Sequence, residues 1–241
     1  MKTCLPISSP VLIFLSIGLA FCSSGALRAK PPEGELIARW KLADFVDNTV
    51  ADEVGGVKLS ISQGQYEEGE KRPVPMVEEV AGVQGLRFGK GQLLLGKTQE
   101  IAGLEEGFFA HNQPFSARIV FTVVGPPAGT FGILLDIGHY MRTGVNLLVE
   151  KETMRLLLQV NDGEKAHKVH GPTILEEGKA YTAEILFDGT HTTLLLNGEF
   201  ECESDVLPLP FDTTFTIGAG NGDRYWFDGV ISEISIMKPS N

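Results

Sequence analysis

The chain has 241 residues, 43% of them hydrophobic and 21% charged, with 28 glycines and 13 prolines. This is the composition of a folded globule and excludes a disordered or collagen-like chain. A formal net charge of −11 excludes nucleic acid and anionic membrane surfaces as partners, since both repel an acidic body.

Met1-Lys2-Thr3 opens the chain, an apolar run follows from Val11 to Phe21, and Cys22-Ser23-Ser24-Gly25-Ala26 supplies small residues. A short positive start, an apolar segment of roughly ten residues and a small-residue exit make a secretory signal peptide over residues 1–25, with cleavage between about 24 and 29. The run is too short for a membrane span, which needs about 20 apolar residues. A lipoprotein reading would attach lipid at Cys22, but Phe21 stands where such signals take a small residue. Either reading exports the protein to the periplasm, the cell surface or the medium.

Removal of the leader leaves about 215 residues, the length of one large β domain. A linker at residues 30–34 (KPPEG) precedes a domain over 35–238. Cys4 and Cys22 leave with the leader, so Cys202 is alone in the mature chain and the core must hold the fold without a disulfide. Glu201 and Glu203 flank that thiol and disfavour a nucleophilic thiolate, which makes Cys202 a half-buried strand residue.

The segment from Leu36 to Leu42 alternates as the first strand, with Trp40 on its core face. A loop ending in Gly55-Gly56 leads to a short strand at Val57 to Ile61, and Gly64 to Pro75 is polar enough to be an exposed loop. Two short strands, Gly85 to Phe88 and Gln92 to Leu95, face each other across a Gly-Lys-Gly turn. The least regular stretch, Ala102 to Asn112, contains at most one helical turn around Leu104-Glu105-Glu106.

From Phe115 to Val124 the alternation is clean, and Gly125-Pro126-Pro127 stops it. Strands follow at Thr130 to Ile137, Gly144 to Glu150 and Met154 to Val160, the last two forming a hairpin through Lys151-Glu152-Thr153. A second hairpin joins Tyr181 to Asp188 with Thr192 to Phe200, and Asn197-Gly198 is a strong tight-turn signal. The chain closes on Thr214 to Gly218 and Trp226 to Met237, read as two strands joined by a Gly/Asn/Asp turn. In the last strand the period-2 rule puts Val230, Ser232, Ile234 and Ile236 on one face, and Ile231, Glu233 and Ser235 on the other. So apolar a terminal strand has to be covered, which places it centrally or beside the first strand.

About a dozen short strands with regular turn signals and no convincing helix predict an all-β, two-sheet antiparallel β-sandwich or barrel. The segments ARWKLADF, GLRFGKG, PFSARIVFTVV, AYTAEILFDGTHTTLLLNGEF and RYWFDGVISEISIM, in that order, resemble the concanavalin A-like lectin/glucanase jelly roll. The similarity points to the laminin-G-like domains of exported bacterial proteins and runs from about Glu35 to Met237. It implies two packed, curved sheets, often with a carbohydrate-binding face or rim loops, and no particular activity.

The sequence contains no Glu-x-Asp-x-x-Glu of the kind that places two glycosidase carboxylates across a scissile bond, and no Gly-x-Ser-x-Gly elbow. Three acids in Glu201-Cys202-Glu203-Ser204-Asp205 share a face, but their hairpin runs into a Pro-rich loop, and a solvated strand edge is the simpler reading. His167 and His170 have an odd spacing that sends them to opposite strand faces and defeats joint metal ligation. No catalytic residue, no metal ligand and no obligatory cofactor is therefore assigned. A structural calcium would have to be assembled from separate turns, Asp136 to Tyr140, Asn161-Asp162 and Asn221 to Asp223.

Sugar recognition needs an aromatic platform with planar polar groups beside it. One loop offers Asp136, His139, Tyr140 and Arg142, and another offers Asn221, Asp223, Arg224 and Tyr225. The competing reading has both tyrosines capping the core while the polar residues serve the turns. Three functions stay open: an exported non-catalytic module binding a glycan or an extracellular protein, a divergent glycoside hydrolase or polysaccharide lyase, and an envelope component working through protein contacts.

Overall fold

The computed structural model describes residues 34–61, 72–97, 113–139, 142–210, 214–220 and 225–239. The leader, the linker up to residue 33, most of the Gly64–Pro75 loop and the turn at Leu104-Glu105-Glu106 lie outside the described residues. Sixteen strands are described. In the first half they are β1 (Gly34–Lys41), β2 (Thr49–Ala51), β3 (Lys58–Ile61), β4 (Met76–Val80), β5 (Val83–Phe88), β6 (Leu94–Lys97), β7 (Phe115–Val123) and β8 (Phe131–His139). The second half has β9 (Thr143–Glu150), β10 (Arg155–Asn161), β11 (Ala166–Ile174), β12 (Ala180–Phe187), β13 (Thr192–Leu196), β14 (Glu199–Ser204), β15 (Thr214–Ile217) and β16 (Gly229–Pro239). One 3-10 turn, Leu42–Asp44, is the only helical element among the described residues. None of the described helices is long and apolar enough to cross a membrane.

The strands form two antiparallel sheets packed as a β-sandwich. The first runs β14-β13-β12-β7-β16-β5-β4, with β1 also on β16; the second runs β11-β10-β9-β8-β15-β6-β3-β2. Between them lies one apolar core that takes alternate residues from both sheets, among them Trp40, Phe88, Phe121, Phe215 and Phe227. The Trp40 and Phe215 rings meet at 5.3 Å, and Trp40 Nε1 donates to Val57 O at 3.1 Å, so the indole is both buried and satisfied.

Strand β16 pairs with β7 along its length, with β5 through Gly229–Ile231, and with β1 through Glu233–Pro239. The two ends of the domain therefore meet, and the terminal strand is both central and beside the first. Its face pattern differs from simple alternation. A bulge between Ile231 and Glu233 resets the phase, so Ile231 joins Ile234 and Ile236 in the core, while Val230 is opposed to Thr122 on the outer face.

Two expected hairpins are absent. Strands β5 and β6, adjacent in sequence, lie in opposite sheets, as do β15 and β16. The partner of β5 is β4, joined to it through Ala81 and Gly82, whose φ values of 55° and 76° make the tight mirror-image turn that hairpins favour. At the other crossing Gly218 has φ 83°, and a Cβ there would lie 2.2 Å from Phe88, so only glycine fits.

Glu201 is not a solvated edge carboxylate. It is 8% exposed and accepts from Thr173 Oγ1 at 2.5 Å and Thr173 N at 3.2 Å, tying β14 to β11 where the two sheets adjoin. Cys202 is 5% exposed, and burial followed by the Glu201 charge pushes its thiol up to about 12.

Candidate functional site on the outer face of the second sheet

Alternation along β8, β9 and β10 sends Leu135, Ile137, Val145, Leu147, Val149, Leu156, Leu158 and Val160 into the core. The intervening residues project outward, and they fall into two groups. Ile133, Leu148 and Leu157 form a small apolar cluster of their own, packed against Phe131 and Tyr225. Next to it, Asp136, Asn146, Gln159 and Asn161 are all 0% exposed and hydrogen-bonded across three strands.

In that row Asn146 Nδ2 donates to Asp136 Oδ1. Gln159 Nε2 donates to Asn146 Oδ1 at 2.9 Å and to Asn161 Oδ1 at 3.0 Å, and Asn161 Nδ2 donates to Asn146 Oδ1 at 2.8 Å. Among the described residues Gln159 Oε1 is buried without a hydrogen-bond partner. An unsatisfied buried acceptor costs about 1–3 kcal/mol.

The aromatic pair stands at one end of this face. The Phe131 and Tyr225 rings lie 6.1 Å apart at 55°, both half-buried. Tyr225 is held there by its backbone: φ is +61°, its carbonyl accepts from Ile133 N at 2.7 Å, and Trp226 bridges to Ile133. Lys168 reaches over from β11, placing Nζ 4.1 Å from the Phe131 centroid. Burial lowers its pKa, with Glu150 acting in the opposite direction.

Of the residues expected from sequence, Asp136 is on β8 but is buried in the polar row, and Tyr225 is on the aromatic pair. His139 ends β8 half-buried, and Arg142 is exposed, its N donating to His139 O at 2.9 Å. Strand β8 runs for about 26 Å from Phe131 to His139, so Tyr225 and the His139–Arg142 turn stand at opposite ends and do not form one site. Tyr140, Asn221 and Asp223 lie outside the described residues. Phe131, Asn146, Gln159 and Lys168 were missed by sequence reasoning. Their signal was present: each sits at an outward position of an alternating strand where solvent-facing residues are ordinarily Ser, Thr or Lys, yet three are amides or aromatics.

Asp162, one of the calcium candidates, caps its own turn by accepting from Glu164 N at 2.9 Å and Lys165 N at 2.8 Å, and it meets His167 Nε2 at 2.5 Å. No group of three or more His, Cys, Asp or Glu able to hold a metal occurs among the described residues. The strand register places His167 opposite core-facing Val160 and His170 opposite outward-facing Leu157, on different faces.

The outer face of the first sheet carries a depression of about 280 Å³, lined by Leu36, Arg39, Arg118, Glu233, Ser235 and Met237. Glu233 sits between the two guanidiniums, 2.7 Å from Arg39 Nη2 and 3.3 Å from Arg118 Nη1. Arg39 Nε, by contrast, is buried without a hydrogen-bond partner.

No protein-family model matches the sequence, and no curated protein matches it. Solved structures do. Domain 4 of AbnA, a GH43 extracellular arabinanase from Geobacillus stearothermophilus solved in complex with arabinotriose, is 13% identical with a TM-score of 0.62, covering 86% of this chain and 93% of that one. A Trypanosoma rangeli sialidase is 14% identical with a TM-score of 0.58, over 86% of this chain and 31% of its own. The receptor-binding domain of botulinum neurotoxin D is 10% identical with a TM-score of 0.59, over 86% and 50%. The chain thus spans about a third of the sialidase it matches, and the likeness establishes a shared β-sandwich fold.

Proposed function

We propose that this chain is an exported, non-catalytic binding module of the laminin-G-like type, and that it recognises a glycan on the outer face of its second sheet. The observation that carries the reading is the half-exposed aromatic pair, Phe131 and Tyr225, on that face. Sugar rings offer apolar C–H faces that stack on aromatics. The arabinotriose bound by the similar AbnA domain fits such a use of the fold. The non-catalytic reading rests on a sequence without paired glycosidase carboxylates, and on Asp136 being tied to Asn146 and shut away from solvent.

Binding of the mature chain to a polysaccharide array tests this. At least one polysaccharide should bind, and Phe131→Ala or Tyr225→Ala should weaken it by about tenfold or more, the worth of one aromatic stacking contact. A chain that binds none, or whose binding ignores both substitutions, removes the proposal.

A further inference from the structure

Strand register sets the side chains on the outer face of the first sheet in rows. One row runs from Glu184 of β12 through Arg118 of β7 and Ser235 of β16 to Arg39 of β1, and Met237 stands beside Leu36 in the next. Arg39, Arg118 and Ser235 line the depression of about 280 Å³ together with Glu233, Leu36 and Met237. Ordinary ligand sites start at about 300 Å³, so a hollow of this size suits one ring rather than a length of polymer. Leu36 and Met237, both half-buried, give it an apolar wall.

The polar side of the hollow is held in place. Glu233 is fixed by both guanidiniums, Oε2 accepting from Arg39 Nη2 and Oε1 from Arg118 Nη1. Among the described residues Arg118 makes no second hydrogen bond, its side chain is 42% exposed, and no unpaired nitrogen of it is buried. The rest of its fork is therefore open to the hollow, unlike Arg39 Nε. Across the β7–β12 register Arg118 faces Glu184, whose pKa burial raises and the Arg118 charge pulls back. Glu53 meets Lys41 at 2.6 Å and Arg39 at 3.7 Å. Arg39, Arg118 and Lys41 are thus matched by Glu233, Glu184 and Glu53. A charged ligand would leave one charge there unmatched, whereas a neutral one with hydroxyls can accept from the open fork and donate to Glu233.

We infer that this hollow is a second, separate binding site for one neutral, polyhydroxylated ring of the monosaccharide class. Its C–H groups lie against Leu36 and Met237, and neighbouring hydroxyls span the open Arg118 fork and Glu233. The site is on the opposite face of the sandwich from Phe131 and Tyr225 and does not depend on the glycan reading of that pair. With both faces in use, one module holds two sugars at once.

The test is an NMR titration of the isotope-labelled mature chain with the methyl glycosides of D-galactose, D-glucose, D-xylose and L-arabinose, and with D-glucuronate. At least one neutral glycoside should shift the amides of Arg118, Glu233 and Ser235 saturably. Arg118→Met, which leaves Glu233 paired with Arg39, should weaken that binding at least about tenfold, and Arg118→Lys, which keeps the charge but not the fork, by about as much. Met237→Ala, a change at a half-buried position, should cost about threefold through the lost wall. Phe131→Ala, or a rise in salt from about 50 to about 500 mM, should leave the affinity within about twofold. The hollow site is overturned if no glycoside shifts those amides, if Arg118→Lys or Arg118→Met binds as well as wild type, or if D-glucuronate binds more tightly than every neutral glycoside. None of those results bears on Phe131 and Tyr225, whose own substitutions decide that proposal.

Discussion

Asp188 closes the turn between β12 and β13 with one oxygen, Oδ1, which accepts from Thr190 N, Thr190 Oγ1 and His191 N, each at 2.7 Å. Partial burial opposes the charged form, but the amides of His191 and Thr190 and the Thr190 hydroxyl outweigh it and bring the pKa down to about 2. The folded value lies below the ordinary carboxylate value of about 3.9, so the stabilisation is complete above about pH 4 and is lost as the pH falls toward 2. The Tm difference between wild type and Asp188→Asn should be widest at neutral pH and close on acidification through that window; a difference that does not change with pH would contradict this. Trp40→Phe should cost about 1–3 kcal/mol in urea unfolding, because it strands the Val57 carbonyl in the core. Cys202, with its thiol protonated throughout the neutral range, should resist iodoacetamide at pH 8 until the protein is denatured.

Among the strands, β4 is the one whose character its residues concealed. Its five residues, MVEEV, are exposed or half-exposed, with Met76 at 72% and Val77 at 41%. Among the described residues it ends the first sheet, with no strand paired on its outer side. Glu78 and Glu79 put charge on that edge, where a second strand would otherwise add. Replacing both with Val should produce concentration-dependent self-association in sedimentation measurements, and a variant that stays monomeric would show that the edge is protected by something other than these charges. The same edge logic explains β14, whose Glu201 is spent on Thr173 of β11 rather than on solvent.

The architecture turns on β16, which is flanked on one side by β7 and on the other by β5 and β1 in succession. A chain that stops after Asp228 loses Ile231, Ile234 and Ile236 from the core and opens a gap in the middle of the first sheet. Deleting two or three buried Ile contacts costs about 2–5 kcal/mol each, which exceeds the margin of an ordinary domain. Such a truncation should show no cooperative unfolding transition by circular dichroism; a cooperative transition would mean that β7 and β5 close up without it.

Period-2 alternation and turn chemistry are local properties, so Phe115 to Val123, the β9–β10 and β12–β13 hairpins, the buried Trp40 and the all-β class could be read directly from residue order. The need to cover an apolar C-terminal strand was legible for the same reason, since burial of alternate isoleucines is a demand the segment carries within itself. Which strand meets which was not. Gly-Lys-Gly between β5 and β6, and the Gly/Asn/Asp run between β15 and β16, look like hairpin turns, yet the chain uses them to cross from one sheet to the other. Pairing is decided by which faces the distant strands bury, and one bulged residue after Ile231 was enough to reverse the face of Val230. Tyr225 and Arg142 were set at opposite ends of β8, and Phe131, Tyr225 and Lys168 were drawn together by contacts between residues far apart in sequence that no local pattern encodes.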